Sequence, residues 1–137
     1  MAWETSIYDR TNISTWEYTD PNRVDNNSQY LKDFIEINIG IIVTLDAYTT
    51  QTINDLPTVG LINLLEKNIN IIKDSSDIPS NWITLYENWV AGTNDIFIYT
   101  NANNLEIDQY LLKIMFESVI LSYRQCFYYN SGTDFEF

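Results

Sequence analysis

The sequence contains no histidine, a single cysteine, four glycines and three prolines. Histidine is the commonest general base and the commonest nitrogen ligand of metal ions, so its absence excludes Ser-His nucleophiles and most zinc sites. Cys126 lacks a second cysteine for an internal disulfide and a histidine that could activate its thiol. The glycines never come together in a phosphate-binding loop. We therefore expect a chain that is not an enzyme and that needs no cofactor or metal.

Basic residues are also scarce. Seven lysines and arginines stand against 19 acidic residues, which gives a net charge of −12. The negative electrostatic field of such a chain repels nucleic-acid phosphates and anionic lipid headgroups, so neither nucleic acid nor a membrane is an expected partner. The longest apolar run, residues 39–43, is far shorter than the roughly 20 residues that cross a bilayer. The first residues also lack the basic start and the apolar stretch of a secretory signal peptide. We expect synthesis in the cytoplasm.

The hydrophobic and aromatic content of the sequence indicates a folded chain. Hydrophobic residues make up 45% of the sequence and aromatic residues 15%, which is too much for a disordered polymer. A length of 137 residues suits one domain with a real core, so we expect a single domain over residues 1–137.

One pattern occurs three times. Its form is Asn-x-(Val/Leu)-(Asp/Glu)-x-(Asn/Asp), and the copies begin at Asn22, Asn63 and Asn103, about 40 residues apart. Near-constant spacing of this kind is typical of a repeated supersecondary unit. The positions that the copies share are Asn22, Asp25 and Asn27 in the first, Asn63, Glu66 and Asn68 in the second, and Asn103, Glu106 and Asp108 in the third.

Each copy has the spacing of a helix. Apolar residues recur three, four and seven positions apart, which places them on one helix face. We predict repeat units over approximately 19–46, 58–74 and 100–129, with Thr19, Thr58 and Thr100 as capping residues. Trp82, Leu85 and neighbouring aromatic residues predict a further short helix over approximately 80–91. The fold class is therefore mainly α, a small bundle of three motif-bearing helices and one short aromatic helix.

The first Asn and the acid of the motif admit two interpretations. In one, the Asn caps the helix and the acid reaches back to it three residues later, as in a capping box. In the other, the threonines cap, the Asn lies inside the first turn and bonds a neighbouring segment, and the acid holds a backbone N–H group or a basic side chain. Both interpretations are structural and neither requires a ligand.

Asn27, Asn68 and Asp108 lie on the apolar face of their helices. A buried polar group demands a partner, and a polar residue in an apolar seam often sets register or partner choice. Alternatively, these side chains lie at the edge of the face and contact water. At the end of the chain, Phe135 and Phe137 alternate with acids, so an extended tail could dock on a neighbouring subunit or fold back on its own domain.

Roughly the first 35 residues of the chain resemble a known group of proteins. Asp9-Arg10-Thr11, the run Tyr18-Thr19-Asp20-Pro21-Asn22-Arg23-Val24-Asp25-Asn26-Asn27, and Tyr30-Leu31 are similar to stretches in minor structural proteins of phages and prophages of Gram-positive bacteria. In those stretches Leu is common where Pro21 stands and Glu is usual where Asp25 stands. The later copies of the motif keep the Asn and the acid but have Leu64 and Asn104 in place of the Arg.

The resemblance implies a virion component of the tail or baseplate that docks on other virion proteins, self-associates in the particle and has no catalytic residues. A different class of function also suits the charge. An acidic phage-encoded inhibitor could mimic nucleic acid and block a DNA-binding protein or nuclease of the host, although here the acids are interleaved with Asn, Thr and Tyr rather than set in rows.

Overall fold

A computed structural model describes residues 2–92 and 97–133, with side chains as far as residue 122. It contains three α-helices: α1 (Thr19–Asn38), α2 (Val59–Asp74) and α3 (Tyr99–Thr133). Each carries one copy of the motif, and no strand occurs in the ranges described, so the mainly α class is confirmed. Phe135, Phe137 and the side chain of Cys126 lie outside the described parts.

The helix α1 ends earlier than the predicted unit of 19–46. Gly40 has a φ of +83°, in the left-handed region that glycine enters without steric cost. The N–H groups of Ile39 and Gly40 both donate to the carbonyl of Ile35, at 3.0 and 2.9 Å. The chain therefore leaves the helical path after Asn38, and residues 39–46 are not helical.

The helix starts follow the predicted capping in one case of three. Thr58 caps α2 by accepting the N–H of Leu61 at 3.1 Å, as predicted. The prediction for Thr19 is wrong, since α1 has no side-chain cap, and the nearby carboxylate of Asp20 instead accepts the N–H of Glu17 at 2.7 Å. The prediction for Thr100 is also wrong, since Thr100 lies inside the first turn of α3; there the side chain of Asn101 bonds back to the N–H of Ile98, just before the helix, at 3.0 Å.

The predicted short helix over 80–91 is wrong, because residues 82–90 have no regular secondary structure. Glu87 has a φ of +61°, which no α-helix tolerates in its interior. The N–H groups of Ile83 and Glu87 are bonded to side chains of other helices instead of to carbonyls one turn earlier. Tertiary contacts therefore override the helical spacing of the aromatic residues.

The core lies where the three helices meet, and each helix contacts the other two. Equivalent positions of the motif converge there: Val24, Leu65 and Leu105 are fully buried. Seven residues further along each helix, a second fully buried layer contains Leu31, Ile72 and Leu112. None of the described helices combines the length and the apolar character needed to cross a membrane.

Candidate functional site

The motif residues hold three segments that have no helix or strand. We call them segment 1 (residues 2–18), segment 2 (residues 39–58) and segment 3 (residues 75–92); each precedes the helix of the same repeat. Backbone groups in such segments have no ladder or helix to satisfy them, so each needs another partner. Side chains of the helices supply those partners at two points along each segment.

At the first point, the sixth residue of the motif holds the segment of its own repeat. Asn27 Oδ1 accepts the N–H of Glu4 at 2.9 Å and its Nδ2 donates to the carbonyl of the same residue at 2.9 Å. Asn68 bonds the N–H and carbonyl of Asp46 in the same way, at 2.8 and 3.0 Å. Both side chains are fully buried, so the interpretation that placed them at a wet edge is wrong. We call this pairing the own-segment clamp.

At the second point, the first Asn of the motif holds the segment of the next repeat, and we call this pairing the cross-repeat clamp. Again one amide bonds both the N–H and the carbonyl of a single residue, which fixes that residue in two directions. The third clamp connects the last helix to the first segment, so the three repeats form a closed cycle. The pairs are Asn22 with Gln51 (2.8 and 2.9 Å), Asn63 with Trp89 (2.9 and 2.9 Å), and Asn103 with Arg10 (3.2 and 3.2 Å).

The acid of the motif holds the same neighbouring segment as the cross-repeat clamp. Glu66 accepts the N–H of Glu87 at 2.6 Å and the indole N–H of Trp89 at 3.0 Å, while Glu106 accepts the N–H of Ile7 at 3.0 Å. The capping-box interpretation is therefore wrong for these acids, which bond a neighbouring segment. Asp25 is one methylene shorter, and its buried Oδ1 has no hydrogen-bond partner in the part of the chain described.

A buried ion cluster reinforces the joint between the last repeat and the first. Arg10 contacts Glu106 at 2.5 Å and Asp20 at 2.9 Å, and Arg23 contacts the same two carboxylates at 2.6 and 2.5 Å. Two charges of each sign compensate one another out of water, which a single buried charge could not do. Burial opposes ionisation of Asp20, but the N–H of Glu17 and the two guanidinium groups outweigh it and lower the pKa of this carboxyl. Burial likewise opposes the charge of Arg23, but Glu106 and Asp20 outweigh it and raise the pKa of this guanidinium.

Sequence reasoning missed Arg10, Asp20 and Arg23 as site residues. The only signal for them was the resemblance, in which Arg10 and Arg23 are part of the recurring stretches. It also missed Gln109, whose buried amide donates to the carbonyl of Val24 at 2.6 Å and to the hydroxyl of Ser28 at 2.9 Å. These bonds add a second connection between α3 and α1.

Burial raises the pKa of several motif acids. Desolvation raises the pKa of Asp108 to about 7, against the opposing effects of the Ile83 N–H and of Lys73. It also raises the pKa of Glu66, although the N–H groups of Glu87 and Trp89 partly offset it, and that of Asp25. Burial makes the charged form of these carboxyls less favourable, so these acids differ from the paired acids of the ion cluster.

The arrangement is suited to holding backbone in place. Its polar groups are directed at N–H and carbonyl groups of the chain itself, and among the described side chains, which extend to residue 122, no cluster of three His, Cys, Asp or Glu could hold a metal ion. In comparisons with protein-family models, curated proteins and solved structures, nothing matches this chain. The geometry and the resemblance are therefore the two grounds for a functional proposal.

Proposed function

We propose that the chain is a structural component of a phage or prophage particle, in the tail or baseplate, and that it acts by docking on other virion proteins. One observation supports this proposal most strongly. The residues on which the resemblance depends include Arg10, Asn22, Arg23 and Asn27, which are the residues that clamp the segments and close the cycle. A motif used in this way would give every protein that carries it a fixed body on which segments and turns are held.

A rigid fold suits an assembly role, because little conformational entropy is then lost when the chain binds its partner. Equivalent turns at Thr11–Ser14 and Thr52–Asp55 are each closed by bonds between their first and last residues. Their tips expose Ile13 and Ile53, whose relative accessible surfaces are 87% and 80%. Under the proposal, these two tips contact a neighbouring virion protein.

The direct test uses particles purified from the strain that encodes the chain. Quantitative mass spectrometry should find the chain at a fixed ratio to a tail protein through successive density gradients, and antibody labelling should place it at one end of the tail. A chain that remains in the cell lysate and is absent from washed particles would contradict the proposal.

A second candidate, the acidic inhibitor of a host DNA-binding protein or nuclease, is favoured by the placement of the basic residues. Arg10 and Arg23 are buried, and Lys32, Lys67 and Lys113 each lie within 4 Å of a carboxylate. The buried ion cluster is balanced, since its two arginines face two carboxylates, so the net negative charge lies on the remaining residues, where these lysines are already paired with acids. Absence from particles, together with loss of DNA binding by a purified host nuclease at equimolar chain, would favour this candidate over the first.

A further inference from the structure

The own-segment clamp of the third repeat differs in chemistry from the other two. Asp108 occupies the place of Asn27 and Asn68, and its Oδ1 accepts the N–H of Ile83 at 3.0 Å as an amide oxygen would. Its Oδ2, which replaces the amide nitrogen, is fully buried and has no hydrogen-bond partner among the described residues. In the other two clamps this second atom donates to the carbonyl of the residue whose N–H the first atom accepts.

An ionised carboxylate cannot reproduce that bond. It has four acceptor sites and no donor, so its second oxygen cannot form the bond to a carbonyl that the amide nitrogen forms in the other two clamps. A neutral carboxyl has one O–H donor and matches an amide in both directions. By analogy with the other two clamps, protonated Asp108 can form both bonds and ionised Asp108 only one, at a position that is buried from solvent.

We propose that Asp108 carries a proton on Oδ2 in the folded protein and donates it to the carbonyl of Ile83, so that the hold on segment 3 depends on pH. When the proton leaves for solvent, the carboxylate retains only the N–H bond and segment 3 loses one of the two bonds at this clamp. The inference does not depend on the proposed function, because it concerns only how the third repeat is held.

The surroundings are consistent with a neutral carboxyl. The charged groups that act on Asp108 are Lys73 and Glu66, both on α2, and their effects oppose each other. Lys73 is paired with Asp74 at 3.2 Å and lies 5.7 Å from the ring of Trp82, so it forms no ion pair with Asp108. Segment 3 contributes only the N–H of Ile83, and burial is the largest influence on the titration.

The position of the clamp determines what ionisation would release. The far end of segment 3 is held on α2 by Glu66 and by Asn63, and neither depends on Asp108. The near end, at Ile83, is held by Asp108. Ionisation should therefore loosen the near end of segment 3 while Trp89 stays in place.

The test measures the proton and the bond separately in the full chain. Carbon-13 NMR of the Asp108 carboxyl should give a midpoint near pH 7, and amide exchange at Ile83, corrected for intrinsic rate, should accelerate through the same range. In Asp108→Asn, whose amide has both a donor and an acceptor, exchange at Ile83 should lose this pH dependence. A carboxyl that titrates below about pH 5, near the ordinary range of aspartic acid, would overturn the proposal.

The matched control introduces a carboxyl at an own-segment clamp that has an amide. Asn68→Asp places the same carboxyl in the second clamp and should give the N–H of Asp46 the pH dependence that Asp108→Asn removes from Ile83. Asn27→Asp does the same for Glu4 and serves if the first variant does not fold. If folded carboxyl variants leave exchange at their clamped residue independent of pH, the clamp does not act through a proton and the proposal fails.

Discussion

The side chain of Asn103, near the start of the last helix, pairs with both backbone groups of Arg10, 93 residues earlier in the chain. The other two cross-repeat clamps connect a helix to the segment that follows it in sequence, whereas this one connects the last repeat to the first. Without this joint between α3 and segment 1, the three repeats would form an open row in which only its own helix holds segment 1. With it, each repeat has two neighbours.

Removing this clamp should cost stability. Asn103→Ala deletes three hydrogen bonds, two to the backbone of buried Arg10 and one from its guanidinium, and leaves the N–H and carbonyl of Arg10 without these partners. We therefore expect a loss of about 2–3 kcal/mol in the free energy of unfolding. Urea denaturation followed by tryptophan fluorescence measures it. Asn104→Ala, one position along the same turn and outside the clamp, should change stability by less than about 0.5 kcal/mol. Equal losses in the two variants would show that the clamp contributes nothing specific.

The ion cluster should be sensitive to loss of one carboxylate. Glu106→Gln keeps the shape but leaves Arg10 and Arg23 with only Asp20 between them, and breaking a buried pair in this way typically costs about 3–5 kcal/mol. Glu117→Gln, whose carboxylate pairs with Lys113 on the surface, is the control and should cost less than about 1 kcal/mol. A mild effect of Glu106→Gln, similar to that of the control, would count against the cluster as the joint between repeats.

The role of the motif acid can be tested by changing the length of its side chain. Asp25→Glu adds the methylene that Glu66 and Glu106 have, and should let the carboxylate reach an N–H of segment 2 near Tyr48, with a gain of about 1 kcal/mol. Glu66→Asp should lose a comparable amount, because the shortened acid no longer reaches Glu87. Urea denaturation of both variants measures these changes. A loss of stability in Asp25→Glu would mean that segment 2 has no N–H group within reach of the longer carboxylate.

Stability should vary with pH in two opposite directions. The pKa of Asp20 is lowered in the folded state, so its contribution is present above its unfolded pKa, near 3.8, and disappears as the pH falls through the folded value. The pKa of Asp108 is raised to about 7, so its contribution is complete below 3.8 and is lost as the pH rises toward 7. We therefore expect unfolding midpoints in urea to be highest near pH 4 and to fall toward neutrality. A midpoint that rises steadily from pH 4 to 7 would contradict this assignment.

Docking through the turn tips can be tested by exposed substitutions. The double variant Ile13→Ser and Ile53→Ser should fold normally, because both side chains are in solvent, and should reduce incorporation into particles at least tenfold. The control is Ile37→Ser with Ile42→Ser, which lie near the opposite end of α1 at 80% and 76% exposure. Reduced incorporation of the control alone would move the docking surface to that end of the bundle.

Local patterns in the sequence predicted the helices well. The period of about 40 residues, the helical spacing and the cap at Thr58 depend on residues a few positions apart, and each is present in the structure. The place of Asn27 and Asn68 on the apolar face left burial and a wet edge open, and the structure shows burial. The backbone groups that they bond could not be predicted, since those groups lie 22 or 23 residues away.

The incorrect and missed predictions have the same cause, namely partners that are distant in sequence. Residues 80–91 have helical spacing, but the partners that hold them in a non-helical form lie on α2 and α3. Arg10 has no local pattern that marks it as buried, and its partners Asn103 and Glu106 come more than 90 residues later. The resemblance drew attention to Arg10 without indicating what it contacts.

The central claim is that side chains of the three helices hold the segments in a closed cycle, and amide hydrogen exchange tests it most directly. The N–H groups of Ile7 and Arg10, in a segment without helix or strand, should exchange at least a hundredfold more slowly than that of Ile13 at the exposed turn tip. Asn103→Ala should remove protection at Arg10 while leaving Gln51, held by Asn22, protected. Exchange at Ile7 and Arg10 as fast as at Ile13 in the unaltered protein would contradict the account.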